Sequence, residues 1–447
     1  MSLNAPRIPP ESRGLEALRA RLLERADDLR PPRRFPVHPG LDLRLSERRL
    51  AEDHSEAATL ARLFGLCVPV PVEDAERALA PVELDVLEAT GLASVEPDLV
   101  RPLARIAPNE GLLIACDPLL DPDRRDFVTG PSPAGRRVDR LTIRRPVRTA
   151  LDLGTGSGLQ ALRAANHSER VVGVDVNERA LAFARFNASL NGVSNLDLRA
   201  GSWFEPVDGE RFDLVVANPP YVVSPETALL YRDGDLPADA VTQKLLLEVP
   251  AYLEEGGFAH VMGNWIHGRE EDWRAPVERW LAGSGCDALL LRYGDLDLVS
   301  YAAHWNLQLA AGGAEPLLAA VDRWLDYYRS AGIEAISEGM VLLRRRSGVA
   351  NWVRAIEVPG NPTGPAGDHV IRLFEARDRR DEAALSTRFK PAPGLKPARS
   401  SIEVENGVGF SVGVPPDLLD GLSSPDLDPR QLETARRLFA LGLLELP

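Results

Sequence analysis

Cysteine is scarce in this 447-residue chain: Cys67, Cys116 and Cys286 are odd in number and far apart. That excludes a disulfide framework and the paired spacing of a zinc site, so no metal is expected and a reducing, cytoplasmic setting is. Long apolar runs are missing too. No stretch is long enough to span a bilayer and the N-terminus lacks a signal-peptide core, so no membrane partner is expected. Positive charge is in deficit, 52 Lys and Arg against 66 Asp and Glu, for a formal net charge of −14. Non-specific affinity for nucleic acid comes from cations neutralising phosphates, so a general nucleic-acid surface is excluded, although a local basic groove is not. The length allows about two or three domains.

What the chain does have is concentrated between Thr149 and Pro225. Hydrophobic period there reads strand, glycine-rich turn, helix, strand, helix, strand, and a further strand ending in Asn218-Pro219-Pro220-Tyr221. The turn is Asp152-Leu153-Gly154-Thr155-Gly156-Ser157-Gly158. Alternate glycines let a ligand lie against bare backbone at a helix N-terminus. A dinucleotide fingerprint is spaced GxGxxG, whereas this one is DxGxGxG. The leading acid would repel a pyrophosphate but suits a cationic amino-acid moiety, which points to S-adenosylmethionine rather than a nicotinamide dinucleotide. The next strand ends in Asp175, where a Rossmann-like sheet places a carboxylate for ribose hydroxyls. That acid also stands where it would cap the following helix, and both roles are compatible. After the third strand, Ser202 can accept a hydrogen bond and Trp203 or Phe204 can wall an adenine ring.

The tetrapeptide Asn218-Pro219-Pro220-Tyr221 falls at the carboxyl edge of a strand, where open α/β sheets place ligands. The prolines fix the turn and remove competing amide donors. The Asn218 side-chain carbonyl and the Pro219 backbone carbonyl are then free to accept both hydrogens of a planar NH2 group, with Tyr221 stacked on its plane. Such a clamp works by orientation and electrostatics, without a covalent intermediate.

On DxGxGxG, Asp175 and NPPY, about residues 120 to 265 resemble class I S-adenosylmethionine-dependent methyltransferases of the amino-methylating subgroup. That subgroup includes release-factor glutamine methyltransferases and the adenine and guanine amino-methyltransferases of nucleic acids. The resemblance implies an α/β fold with a Rossmann-like seven-stranded sheet. It implies cofactor contacts at Asp152, Gly154, Thr155, Gly156, Gly158, Asp175, Ser202 and Trp203, and catalytic contacts at Asn218, Pro219 and Tyr221. The acceptor would be a planar NH2 of a macromolecule. The local sequence and acidic charge favour a protein glutamine; a base in RNA or DNA is the alternative, followed by a small molecule or a non-catalytic cofactor-binding role.

Four regions are expected: a Pro/Arg-rich arm to residue 45, a winged-helix-like module at 46–118, the methyltransferase domain at 119–358, and a small α+β appendix at 359–447. The module's third helix carries Glu83, Asp85 and Glu88 where a DNA-reading helix would present Arg, Asn or Gln, which favours a structural or protein-docking role. Six arginines (136, 137, 140, 144, 145 and 148) precede the catalytic strand and would either hold phosphates or pair internally. Residues 127–131 and 231–234 are expected to cover the site, and His304-Trp305, in an apparent insertion from Gly294 to Gly313, to reach it.

Overall fold

The computed structural model describes residues 5–9, 12–30, 39–118, 124–233, 236–398, 401–414 and 427–447. The linker expected in PPRRFPVH, most of the DPDRR run and Gly234 lie outside the described residues.

Eight strands form the central sheet: β1 (Val147–Leu153), β2 (Ser168–Asp175), β3 (Leu196–Ala200), β4 (Phe212–Ala217), β5 (Leu253–His267), β6 (Cys286–Asp295), β7 (Ala335–Arg345) and β8 (Val353–Glu357). Their spatial order is β3-β2-β1-β4-β5-β7-β6-β8. β7 runs antiparallel to both neighbours and every other pairing is parallel. The expectation of seven strands is therefore corrected to eight: β8 adds alongside β6 and covers what would be an open edge. Both faces of the sheet are buried. Along β4, Leu214 and Val216 enter one core while Val215 and Ala217 enter the other, as a period of two requires. Connections leave β1 and β4 toward opposite halves of the sheet, opening a crevice at their carboxyl ends.

The N-terminal part shares a core with this sheet's helices. Helix Ser12–Glu24 buries Leu15, Leu18 and Leu22, and helix Glu178–Asn191 answers with Phe183, Phe186 and Leu190 at the same helical spacing. Each such buried side chain contributes roughly 2 kcal/mol of transfer free energy. Two hairpins follow the short helices of this region. The second, Arg105–Asn109 with Leu112–Cys116, turns through Glu110-Gly111, both at positive φ, as a two-residue loop demands.

Beyond β8, helix Gly367–Asp378 buries Val370, Ile371 and Phe374 against the sheet, and the last helix, Pro429–Ala440, packs on a smaller core. The sequence suggested a tight Asn406-Gly407 hairpin turn. The structure instead pairs Ser401–Val404 with Val412–Gly413 across a longer loop, because Gly407 N donates to the Thr363 hydroxyl and Val408 N to His369, holding that loop against the preceding segment.

Candidate active site

β1 delivers the glycine turn into the crevice. Gly154, Gly156 and Gly158 all have positive φ. At Gly156 nothing stands within 4 Å of where a Cβ would be, so its bare backbone faces open space. Gly158 serves packing instead: a Cβ there would meet Ala184 at 3.1 Å, and it does not line the cleft. Gly154, Thr155, Gly156, Asp175, Ser202 and Trp203 do line it, joined by Phe127 to Gly130 from one side and Leu230 and Tyr231 from another.

Asp152 departs from expectation. Its carboxylate is buried beneath the turn, accepting from the Thr155 hydroxyl at 2.7 Å and from Ala161 N at 2.9 Å, and it is not among the residues lining the cleft. Burial pushes it up to about 7, against those two hydrogen bonds, and Asp175 adds to the rise. Asp152 holds the turn's shape through these two bonds. Asp175 faces the cleft while its oxygens accept from Gly156 N at 2.8 Å and Asn177 N at 2.9 Å, which ties the end of β2 to the turn. Its pKa also rises, chiefly through burial.

The walls are held from behind. Arg179, in the first turn of helix Glu178–Asn191, forms a buried bidentate pair with Asp117, whose Oδ2 also accepts from Val128 N at 2.7 Å. That fixes the segment from Phe127 to Gly130 on the wall of the cleft. Trp203, at φ 53, presents its ring to the cleft, whereas Phe204 stacks on Tyr252 in the core.

Asn218 stands at the junction of two spaces. A second cavity, of about 400 Å³, adjoins the cleft, and Thr129, Ser132, Asn218, Pro219 and Tyr231 line both. Asn218 Oδ1 is buried with no hydrogen-bond partner. Tyr221 lines only the second cavity, where its ring packs edge-on to Trp305 at 6.4 Å. Val223 anchors the strand's exit: its N–H donates to the Tyr301 hydroxyl and its carbonyl accepts from the Tyr328 hydroxyl, both at 3.0 Å. The insertion forms helix Leu298–Asn306 and places His304 and Trp305 on the second cavity's wall, as expected.

Sequence reasoning missed the polar end of that cavity. Glu338, from β7, pairs with Arg137 at 2.7 Å, and the Arg137 guanidinium lies over the Tyr293 ring at 4.3 Å. It also left open the six arginines, and each bonds within the chain. Arg136 donates to Pro131 O, Arg140 pairs with Glu110, Arg144 with Asp139, Arg145 with Glu375, and Arg148 with Asp213 and Glu254. His260, on β5, is fully buried with its pKa pushed down to about 3 by desolvation, and so stays neutral. Among the described residues no cluster could hold a metal ion and no helix is long and apolar enough to cross a membrane.

Residues 146–262 match the family described as "Methyltransferase domain", which spans β1 through most of β5. This is a methyltransferase domain. Residues 42–103 match a second family, a domain of unknown function. The methyltransferase domain resembles the release factor glutamine methyltransferase of Aliivibrio fischeri, 36% identical over 30% of this chain and 44% of that protein. It also resembles the ribosomal protein uL3 glutamine methyltransferase of Xanthomonas campestris, 36% identical over 25% of this chain and 41% of that protein. The chain spans about half the length of the first curated relatives it matches. Among solved structures, the ribosomal protein L11 methylase of Lactobacillus delbrueckii is 23% identical, covering 36% of this chain and 69% of that one, with a TM-score of 0.25. The cofactor of the methyltransferase domain is S-adenosylmethionine, and the bare glycine turn and the carboxylate of Asp175 suit its amino-acid and ribose ends.

Proposed function

We propose that the protein methylates a planar NH2 nitrogen, that of a glutamine side chain in a protein. The observation that carries this reading is the buried, unpartnered Asn218 Oδ1 on the wall shared by the two cavities. A buried acceptor without a partner costs about 1–3 kcal/mol, a cost that an incoming N–H offsets. When bound, S-adenosylmethionine supplies an electrophilic methyl group. Asn218 Oδ1 and the Pro219 carbonyl hold the acceptor's two N–H groups, which fixes the nitrogen at the junction and raises its electron density. Tyr221 and Trp305 bound the space behind it, and Arg137 with Glu338 offers polar partners for the flanking peptide. Gly154, Thr155, Gly156, Asp175, Ser202 and Trp203 are proposed to hold the cofactor, with Asp152 and Gly158 shaping the turn from behind.

A protein acceptor is also supported by the names of the similar enzymes, which act on a release factor and a ribosomal protein, and by the net charge of −14. Internal bonding of the six arginines at 136–148 weakens one of the two features that favoured a base, the other being the winged-helix-like order. The three free cysteines suit a cytoplasmic setting. We read residues 46–118 as a winged-helix-like docking module. Its support is the order of short helices, strand Val70–Pro71, two more helices and a hairpin that pairs with that strand.

The test is transfer of radiolabelled methyl from S-adenosylmethionine into a cell extract, with Asn218→Ala as blank. Label lost to protease and retained through nuclease is expected; label lost only to nuclease assigns a base. Asn218→Ala is expected to bind S-adenosylhomocysteine normally and lose about 100-fold or more in transfer. Near-normal turnover would rule out the clamp.

A further inference from the structure

Far from the active site, a cleft of about 510 Å³ lies between the outer strand β8 and the C-terminal helices. Five arginines line it: Arg354 from β8, Arg377 and Arg380 at the end of helix Gly367–Asp378 and just beyond, and Arg436 and Arg437 from helix Pro429–Ala440. The rest of its lining is apolar: Val353, Phe439 and four alanines. It shares no lining residue with either cavity of the active site.

Many arginines of this acidic chain pair with carboxylates. The six at 136–148 all bond internally, and Arg344 and Arg346 both reach Asp287 and Asp378. None of the five in the cleft has a carboxylate partner among the described residues. Of the nearby acids, Asp378 is committed to Arg344 and Arg346, Glu382 to Arg379 and Glu375 to Arg145, while Asp381 beside Arg380 and Glu433 one turn before Arg436 and Arg437 are exposed and form no ion pair with the five. Burial, with Arg377 close by, lowers the pKa of Arg354 to about 10, so its positive charge is held at a cost. Like charges gathered from four elements, none ion-paired among the described residues, repel one another, and a bound anion relieves that repulsion.

We propose that this cleft binds the phosphodiester backbone of a single-stranded nucleic acid. Every cation in it is an arginine, whose planar fork takes phosphate oxygens two at a time and stacks on bases. Arg380, Arg436 and Arg437 are exposed and Arg354 is half-buried, a spread of charge over several elements that a flexible single strand can follow. The charges are spread over an open groove, whereas a single free phosphate is better held by one enclosed nest of backbone amides. This inference is independent of which acceptor is methylated.

The test is fluorescence anisotropy of the full chain with a labelled single-stranded RNA of about a dozen nucleotides, across a range of salt. Neutralising two phosphate contacts fewer should lower the slope of log affinity against log salt by about 1.4. Arg436→Gln combined with Arg437→Gln is expected to show that change and a loss of about tenfold or more in affinity at low salt. Binding of S-adenosylhomocysteine by the same variant reports that the fold and the active site are intact. Arg380→Gln, at an exposed position, is expected to act in the same direction and serves if the double variant fails to fold. Equal affinity and slope in the variants, or no binding by the unaltered chain at low salt, would overturn the proposal. So would full displacement of the RNA by tripolyphosphate or by polyglutamate at matched charge, which would assign the cleft to small anions or to acidic peptides. Equal binding of single-stranded DNA would support the backbone reading and show that the ribose hydroxyl plays no part.

Discussion

Asn187 joins the N-terminal hairpin to the cofactor turn through a single side chain. Its Oδ1 accepts from Ala115 N at 2.8 Å, and its Nδ2 donates to Ala115 O and to Ser157 O, both at 2.9 Å. One turn later Asn191 repeats the exchange with Leu113, accepting at 3.0 Å and donating at 2.8 Å. Residues two apart on a strand and four apart on a helix share a side, so two asparagines stand in for a missing neighbouring strand.

Replacing Asn187 with Ala removes three buried hydrogen bonds and leaves their backbone partners unsatisfied. A loss of about 3 kcal/mol is expected, read as a lower denaturant midpoint. Affinity for S-adenosylhomocysteine should fall several-fold in the same variant, because Ser157 lines the cleft. Asn187→Asp should fail similarly, since it cannot donate.

Asp152 makes stability depend on pH. Its folded pKa, about 7, stands above the ordinary 3.8, so the native state binds more protons than the unfolded state between those values. Stability is therefore expected to fall as pH rises from about 4 to 7. Asn can still accept from Thr155 and Ala161, so Asp152→Asn should fold and show a flatter profile of thermal midpoint against pH. Some slope should remain, because the pKa of Asp175 is raised as well.

Arg232 holds the segment that closes over both cavities. It is buried and bonded to Asp233 and Glu226, each at 2.6 Å. Arg232→Met strands the buried carboxylate of Asp233, while Glu226 keeps Arg323 and the Trp324 indole, and should cost about 3 kcal/mol. Limited proteolysis should then cut near residues 225–233 faster than in the unaltered chain, and S-adenosylhomocysteine should protect less.

Tyr221 contributes a wall more than a hydroxyl. The structure records no hydrogen-bond partner for its oxygen, and its ring meets Trp305. Tyr221→Phe should keep transfer within about threefold, whereas Tyr221→Ala, which opens the second cavity, should lose tenfold or more in kcat/KM. The reverse order would assign chemistry to the hydroxyl.

The parts of the site that were legible in the sequence are those made by local backbone. Glycines at alternate positions, an acid closing a strand and prolines after Asn218 constrain their neighbours directly, and the crevice follows. The bonds that Asp152 makes were not legible, because they depend on the Thr155 hydroxyl and on an amide in the next helix, not on spacing. The six arginines were ambiguous because several of their partners, such as Glu338 and Glu375, lie some 200 residues away. Arg354 and Arg437 likewise come together only through the fold, and nothing in their own segments marks them as neighbours. The eighth strand was missed for a related reason: Val353–Glu357 has no pattern of its own, and its partner on β6 lies beyond two intervening helices and a strand.

The shared core between helix Ser12–Glu24 and helix Glu178–Asn191 bears on how this protein can be divided. The stretch that matches the methyltransferase family begins at residue 146, yet Phe183, Phe186 and Leu190 within it are covered by side chains from residues 15 to 113. A fragment trimmed to the matching stretch would turn those rings to water and invite aggregation. The piece that is recognisable in sequence and the piece that can stand alone in solution are therefore different lengths of chain.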